Sequence, residues 1–259
     1  MAMTDTHPKN WLLLRGLGRQ SAHWGQFPEL LAQAFAPASV HTIDLPGTGI
    51  YHRETSPKTI PGIMTKTRAR ALEKGLLSQP TWLIGFSLGG MVAWEWLHRQ
   101  PDDIAGVVLI NTSLASISPF YKRLCWQNYP DVLRILLQGN VLQRETELLK
   151  LVSNLHRHSE TVAQEWTSIQ IARPMSLQNA LHQMMAAARY RPELAAPTLP
   201  VLLLASREDR LVSSECSTKI AEQLNLPLMQ HPSAGHDLTL DDSPWVLTSV
   251  KQWLNTRPY

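Results

Sequence analysis

The sequence has little cysteine and no long apolar run. Only Cys125 and Cys216 occur among the 259 residues, and a chain of this length needs no disulfide framework, so we expect both thiols to be unpaired. No apolar run approaches the roughly 20 residues that a membrane-spanning helix requires. The first ten residues are polar and lack the pattern of a secretory signal. We therefore expect a cytoplasmic protein that does not insert into membranes.

Charge of one sign is also scarce. Lysine and arginine total 24 against 21 aspartate and glutamate, which leaves a net charge of +3. This surplus is too small and too dispersed for a nucleic-acid-binding protein. Hydrophobic residues at 44% and charged residues at 17% are typical of a globular enzyme. The length suits one α/β domain with an insertion.

Residues 81–100 contain the most informative pattern, which is a buried strand, a tight turn and an amphipathic helix. The turn reads Gly85-Phe86-Ser87-Leu88-Gly89. Small residues two before and two after a serine allow a bend that projects the hydroxyl clear of the backbone. Glycine and serine also fill ordinary packing turns, but the position between strand and helix favours a nucleophile. The helix N-terminus would stabilise an oxyanion there through the Leu88 N–H.

A second glycine-bearing loop follows the first predicted strand and reads Arg15-Gly16-Leu17-Gly18. A Gly-x-Gly-x-x-Gly dinucleotide site would need glycine at position 21, where the chain has Ser21, so nucleotide binding is disfavoured. We predict instead that the loop offers the Leu17 N–H to the same oxyanion as Leu88.

Apolar runs alternate with helical patterns along the chain, which predicts a parallel sheet covered by helices on both faces. The predicted strands cover residues 11–14, 40–45, 82–86, 104–110, 201–205 and 226–231. Folds of this kind carry their active sites at the carboxyl ends of the strands. The polar residues at those ends are therefore the candidates for catalysis.

Ser87 needs a base, and His236 lies in a glycine-bearing loop just after the last strand. His231 lies at the end of that strand and is better explained as structural, whereas His23 is a weaker candidate for a pocket residue. An acid must then orient the base and balance its charge.

Asp209 follows the preceding strand and is the predicted acid. Glu208 is adjacent but would point elsewhere if Asp209 points inward, and the loop after the strand before that offers only Asn111. Asp44 is better explained by hydrogen bonds within its own loop.

Residues 114–196 interrupt the alternation with helical patterns and no clear strand. We predict two domains, a core of residues 1–113 and 197–259 and a helical cap of residues 114–196. The cap holds nine basic and six acidic residues, so its surplus of 9 − 6 = +3 equals that of the whole chain. Four of the basic residues form a hypothetical partner-binding face: Arg134, Arg144, Lys150 and Arg157. Such charge is also common on solvated helix faces.

The chain order Ser87, Asp209, His236 resembles that of the α/β-hydrolase superfamily. Four segments look like its landmarks in the right sequence: Gly-Phe-Ser-Leu-Gly-Gly, Asp-Leu-Pro-Gly-Thr-Gly, Arg-Glu-Asp-Arg-Leu-Val and Ala-Gly-His-Asp. The resemblance implies an α/β-hydrolase fold with a mostly parallel central sheet and a helical cap inserted after the sixth strand. One departure is Arg15, since relatives usually begin the oxyanion loop with His-Gly.

The resemblance implies a cofactor-free, metal-free serine hydrolase of the capped carboxylesterase type, acting on a small-molecule ester or thioester. The cap resembles that of esterases that act on carrier-linked methyl esters in biotin synthesis, which makes an acidic acyl carrier protein a candidate partner. Four alternatives stay open for the same fold: a carbon–carbon hydrolase, a perhydrolase, an acyltransferase, and a ligand receptor without turnover.

Overall fold

A computed structural model describes residues 8–256 of the chain. Its centre is a six-stranded sheet in the order β2-β1-β3-β4-β5-β6, and every neighbouring pair is parallel. The strands are β1 (Asn10–Leu14), β2 (Ser39–Ile43), β3 (Thr81–Phe86), β4 (Ile104–Ile110), β5 (Val201–Ser206) and β6 (Leu228–His231). All six predicted strands are present, with ends that differ by one or two residues.

Helices cover both faces of this sheet, as the alternating pattern predicts. The helices outside the insertion are α1 (Phe27–Ala34), α2 (Ile60–Glu73), α3 (Leu88–Arg99), α9 (Glu215–Leu224), α10 (Leu238–Asp241) and α11 (Ser243–Asn255). Side chains on a strand alternate between the faces. On β1, Leu12 and Leu14 pack in one apolar core with α2, α3 and α9. Trp11 and Leu13 pack in the other with α1 and α11.

Among the described residues, the insertion between β4 and β5 contains helices joined by loops and no strand. Its helices are α4 (Phe120–Arg123), α5 (Tyr129–Leu137), α6 (Val141–Val152), α7 (Glu160–Ala172) and α8 (Leu177–Arg189). The insertion follows Ile104–Ile110, the strand that was predicted to precede it. This is the fourth strand along residues 8–256, and it corresponds to the strand that the family resemblance counts as the sixth. Helices α5, α6 and α7 bury a small apolar cluster that includes Ile135, Leu149 and Trp166.

The strand register brings the site-bearing loops to one edge of the sheet. Leu14 pairs with Gly85, Gly85 with Leu109, and Leu109 with Leu203. The loops that leave β1, β3, β4 and β5 therefore start at the same level, beneath the inserted helices.

Within residues 8–256, none of the helices combines the length and apolar character that a bilayer crossing requires. The predicted absence of a secretory signal concerns the first ten residues, of which residues 1–7 lie outside the described part of the chain.

Candidate active site

Ser87 occupies the tight turn between β3 and α3. Its backbone has φ 53° and ψ −114°, a left-handed conformation that L residues rarely adopt and that is strained for any residue except glycine. Two hydrogen bonds hold it: the Ser87 N–H donates to Ile110 O at 2.8 Å, and Thr112 Oγ1 donates to Ser87 O at 2.9 Å. The strain is thus maintained by β4 and the residues after it.

The glycines around Ser87 are required by close approach of the backbone. A Cβ on Gly85 would lie 2.6 Å from the Gly89 carbonyl oxygen, and one on Gly89 would lie 2.2 Å from the Leu14 carbonyl oxygen. Gly90 is equally constrained, since its Cβ would lie 2.7 Å from Thr112. Larger residues would therefore push α3 away from β1 and β4.

His236 and Asp209 meet across the ends of β5 and β6. The His236 Nδ1 atom lies 2.7 Å from Asp209 Oδ2, and both side chains are buried. An ionised carboxylate can only accept, so this contact is a hydrogen bond in the tautomer that carries its proton on Nδ1, which has Nε2 as its basic nitrogen. The other carboxylate oxygen, Asp209 Oδ1, accepts from the Leu211 and Val212 N–H groups at 2.8 and 2.9 Å.

His236 contacts residues that adjoin Ser87 or hold its turn in place. The Phe86 ring centroid lies 4.9 Å from that of His236. Asn111 Nδ2 donates to His236 O at 2.7 Å and to Ser206 Oγ at 3.1 Å, while Asn111 Oδ1 accepts from Ser206 N at 2.8 Å. From the sequence, Asn111 was considered only because it stands where a catalytic carboxylate was sought. Its φ of 47° and its position directly after β4 place its amide between β5 and residues 232–237, the loop after β6 that carries His236 and is called the histidine loop below.

The loop after β1 lies directly beside Ser87. A Cβ on Gly16 would come within 3.3 Å of Ser87 Cβ. The N–H groups of Leu17 and Leu88 have no hydrogen-bond partner among residues 8–256, and both residues line the same cavity as Ser87. Two N–H groups without partners are the kind of donor that an oxyanion hole requires.

Arg15 and Asp237 form a buried ion pair that sequence reasoning missed. Arg15 Nη2 lies 2.5 Å from Asp237 Oδ2, and Nη1 lies 3.2 Å from Oδ1. The guanidinium lies between the rings of Trp24 and Phe86, at 4.7 and 4.9 Å from their centroids. Burial raises the pKa of Asp237, but the Arg15 charge and hydrogen bond outweigh it and hold that pKa below its ordinary value. The sequence did contain a signal for this pair, because Arg15 directly precedes the glycine-bearing loop after β1 and Asp237 directly follows His236.

A second buried pair joins the same loop to the inserted helices. Arg19 Nη1 lies 2.6 Å from Glu145 Oε2 of α6, and its guanidinium carbon lies 3.9 Å from the Trp166 ring centroid. Nothing in the sequence spacing indicated this pair, whose members lie 126 positions apart.

A cavity of about 500 Å³ extends from Ser87 between the sheet edge and the inserted helices. Its walls are mostly apolar and include Met91, Leu148, Trp166 and Met184. A volume of this size accommodates a small organic molecule, and the apolar walls suit an alkyl or acyl chain.

The structure also locates the other residues that the sequence analysis considered for the site. Asp44 accepts from the Ile50 N–H of its own loop at 2.9 Å, as predicted, and also from the Ser21 N–H after β1 at 2.6 Å. His231 accepts from the Ala234 N–H at 2.8 Å. His23 is buried and does not line the cavity described above; burial, with help from nearby arginines, lowers its pKa well below the ordinary value. Glu208 is exposed beside the buried Asp209.

The four basic residues of the hypothetical partner face do not form one patch. Arg134, Lys150 and Arg157 line a second concavity of about 210 Å³, together with Arg210 of the loop after β5. Arg144 instead lines the main cavity.

Part of this charge is neutralised locally. Arg134 Nη1 lies 2.8 Å from Asp131 Oδ1, and Lys150 Nζ lies 2.8 Å from Glu147 Oε1. Arg157 is exposed and has no ion pair within the described residues. The surplus positive charge of the concavity therefore lies mainly on Arg157 and Arg210.

A parallel sheet with a strained serine between a strand and a helix belongs to the class of α/β-hydrolase folds. The model of the alpha/beta hydrolase family matches residues 11–248, and the chain belongs to this family of hydrolases.

Curated relatives and solved structures agree with this assignment. The pimeloyl-[acyl-carrier protein] methyl ester esterase of Xylella fastidiosa (strain M23) is 24% identical over 248 residues, which cover 91% of this chain and 92% of the relative. The Vibrio cholerae protein of the same name is 28% identical over 221 residues, or 83% of this chain and 80% of the relative. The esterase RhEst1 from Rhodococcus sp. ECU1013 superposes with a TM-score of 0.77 at 17% identity, covering 97% of this chain and 92% of that one.

Proposed function

We propose that the protein is a serine hydrolase that cleaves a carboxylic ester or thioester through an acyl-serine intermediate. The observation that carries the proposal is the His236–Asp209 contact of 2.7 Å in the loops that flank the strained Ser87. The names of the relatives support an ester as the substrate class.

The proposed reaction has two balanced steps. His236 Nε2 takes the Ser87 hydroxyl proton as the oxygen attacks the acyl carbon, and the N–H groups of Leu17 and Leu88 hold the oxyanion. The protonated imidazole, oriented by Asp209, returns the proton to the departing alcohol or thiol. Water then attacks the acyl-serine by the same route and releases the acid. The apolar cavity binds the acyl chain during both steps.

Turnover of short-chain p-nitrophenyl esters tests this proposal. We expect multiple turnovers by the wild type and a loss in kcat of about 10⁴ to 10⁶-fold in Ser87→Ala, because the members of such a triad act as a unit. Ser113→Ala is the matched control, since Ser113 lines the same cavity without a proposed catalytic role. A fluorophosphonate should label the wild type and not Ser87→Ala. A single slow turnover accompanied by a rise in Tm would contradict the proposal and favour a ligand receptor.

We further propose that residues 114–196 act as a cap domain on a core of residues 1–113 and 197–259. Helices α5 to α7 have their own apolar cluster, and the inserted helices supply much of the cavity wall above Ser87. Residues 1–7 and 257–259 of this division lie outside the described residues. We also propose a cytoplasmic location for the protein, as the sequence analysis predicts.

A methyl ester of an acyl-carrier-linked acid is the finer substrate hypothesis, with biotin biosynthesis as its context. It rests on the names of the relatives and on the positive concavity that Arg157 and Arg210 line. An acidic carrier would be drawn to this surface by long-range attraction, which salt screens beyond about 8 Å at physiological ionic strength.

The salt dependence of kcat/KM distinguishes carrier docking from general esterase activity. Docking predicts a steep fall for an acyl-carrier ester and a flat response for a small neutral ester. Arg157→Glu should lower kcat/KM for the carrier ester alone, whereas the same charge change in Lys66→Glu, on the exposed face of α2, should not. Parallel salt responses for both esters would leave a general small-molecule esterase.

A further inference from the structure

We propose that two buried glutamines of the inserted helices, Gln170 of α7 and Gln183 of α8, are positioning residues that set the conformation of the oxyanion loop. The loop is defined here as residues 15–19. This inference rests on the proposed function, because it concerns how the Leu17 N–H is aimed at the oxyanion.

The two glutamines bind the two backbone groups of one residue. The Gly18 N–H donates to Gln183 Oε1 at 3.0 Å, and Gln170 Nε2 donates to the Gly18 carbonyl oxygen at 3.2 Å. Gly18 has φ 69° and belongs to no helix or strand. Both peptide units of Gly18 are therefore fixed by side chains of the inserted helices and not by the sheet.

Both glutamine side chains are buried. Gln183 is 0% exposed and Gln170 is 4% exposed. A buried amide costs free energy unless its polar atoms are paired, so neither glutamine is explained by packing alone. Gln183 uses its remaining group to donate to Pro46 O at 3.2 Å, which ties the loop after β2 to the same side chain.

The consequence for the oxyanion hole follows from the order of the chain. The Gly18 N–H and the Leu17 carbonyl belong to one planar peptide unit, so the bond to Gln183 fixes that plane. The adjacent plane carries the Leu17 N–H. That plane also carries the Gly16 carbonyl oxygen, which accepts from the Arg19 N–H at 3.2 Å and is therefore held through the residue that follows Gly18. The direction of the Leu17 N–H thus depends on the seating of α7 and α8.

Gln170→Met and Gln183→Met test the inference, because methionine keeps the approximate length and removes the hydrogen bonds. Matched controls on the same two helices are Gln164→Met and Gln178→Met, whose side chains are exposed. The measurements are kcat and KM for a short-chain ester, the affinity for an alkyl boronic acid, and the affinity for the matching ether. The boronic acid forms a tetrahedral oxyanion on Ser87, whereas the ether has no carbonyl oxygen.

We expect kcat to fall about 10- to 100-fold in each buried variant, as a misdirected group near the chemistry does. Affinity for the boronic acid should fall by a similar factor, while affinity for the ether stays within about twofold because it makes no oxyanion contact. The control variants should match the wild type in all four measurements.

Three outcomes would overturn the inference. Unchanged kcat and boronic acid affinity in folded buried variants, beside an active wild type, would refute it and leave the proposed function intact. A rise in KM with parallel loss of ether and boronic acid affinity would assign the glutamines to holding the inserted helices in place. No turnover and no fluorophosphonate labelling by the wild type would remove the proposed function and this inference with it. Should Gln183→Met not fold, Gln170→Met decides alone, since it removes one hydrogen bond.

Discussion

Replacing Arg15 by methionine removes the cation that faces Asp237 and leaves much of the apolar contact with Trp24 and Phe86. The pair is almost fully excluded from water, with side-chain exposures of 2% and 4%. Deleting one partner of a buried ion pair leaves the other charge uncompensated, which typically costs about 3 to 5 kcal/mol. Among the described residues, Asp237 would keep hydrogen bonds from the Thr239 hydroxyl at 3.0 Å and the Leu240 N–H at 3.3 Å, with a weaker attraction from the Arg19 charge. We therefore expect Arg15→Met to lose several kcal/mol of unfolding free energy at pH 7.

The pH dependence of this loss has a defined sign. In the wild type the folded pKa of Asp237 lies below its ordinary value of 3.8, so its contribution is present above that pH and is lost as the pH falls through the folded pKa. In Arg15→Met the same carboxyl is buried without its cation, and burial raises its pKa. The stability difference between the two proteins should therefore be largest near neutral pH and shrink as the pH falls towards 4.

Urea unfolding at pH 7 and pH 4, followed by fluorescence, measures both effects. Arg68→Met is the matched control, because Arg68 pairs with Asp103 at a partly exposed site and should cost about 1 kcal/mol or less. A double-mutant cycle with Asp237→Asn should give a coupling of at least about 1 kcal/mol. A loss in Arg15→Met no larger than that in Arg68→Met, or no coupling with Asp237, would refute the reasoning.

Further predictions concern the proposed acid, the oxyanion loop and the thiols. Asp209→Asn should lower kcat about 10⁴-fold by favouring the wrong imidazole tautomer, whereas Glu208→Gln should match the wild type; ester kinetics that reversed this order would move the acid to Glu208. Leu17→Pro deletes one proposed donor and should lower kcat about 10² to 10³-fold, which the same assay measures. The Cys216 thiol is buried, and burial raises its pKa to about 11. Titration with a thiol reagent at pH 8 should therefore modify Cys125 first and Cys216 only after unfolding.

The sheet and its order of loops could be predicted from the sequence because their signals are local. Runs such as 104–110 are apolar on every residue but one glycine, as a strand covered on both faces must be, and turn residues mark where each run ends. The contact between His236 and Asp209 was predicted by the same logic, since carboxyl ends of neighbouring parallel strands meet. The ends of the strands were predicted less accurately than their existence. For example, the strand predicted over residues 40–45 ends at Ile43, and Asp44 begins the following loop.

Contacts between the oxyanion loop and the inserted helices could not be predicted in this way. Glu145 and Gln183 lie on helices whose sequence shows only amphipathic spacing, and a buried polar residue on such a helix looks like a solvated one until its partner is known. Arg144, next to Glu145, illustrates the difficulty, because it lines the main cavity and not the concavity of Arg157. Spacing identifies a helix face but not the loop that it covers.

The oxyanion loop owes its conformation to contacts with three separate parts of the molecule. Arg15 ties it to Asp237 in the histidine loop, Arg19 ties it to Glu145 of α6, and Gly18 is bound by side chains of α7 and α8. Buried ion pairs of this kind add little net stability compared with apolar packing, but each one penalises every arrangement in which its partners separate. We therefore expect the two pairs to act as geometric constraints, which favour the arrangement in which residues 15–19 keep their contacts with Asp237 and with Glu145 of α6.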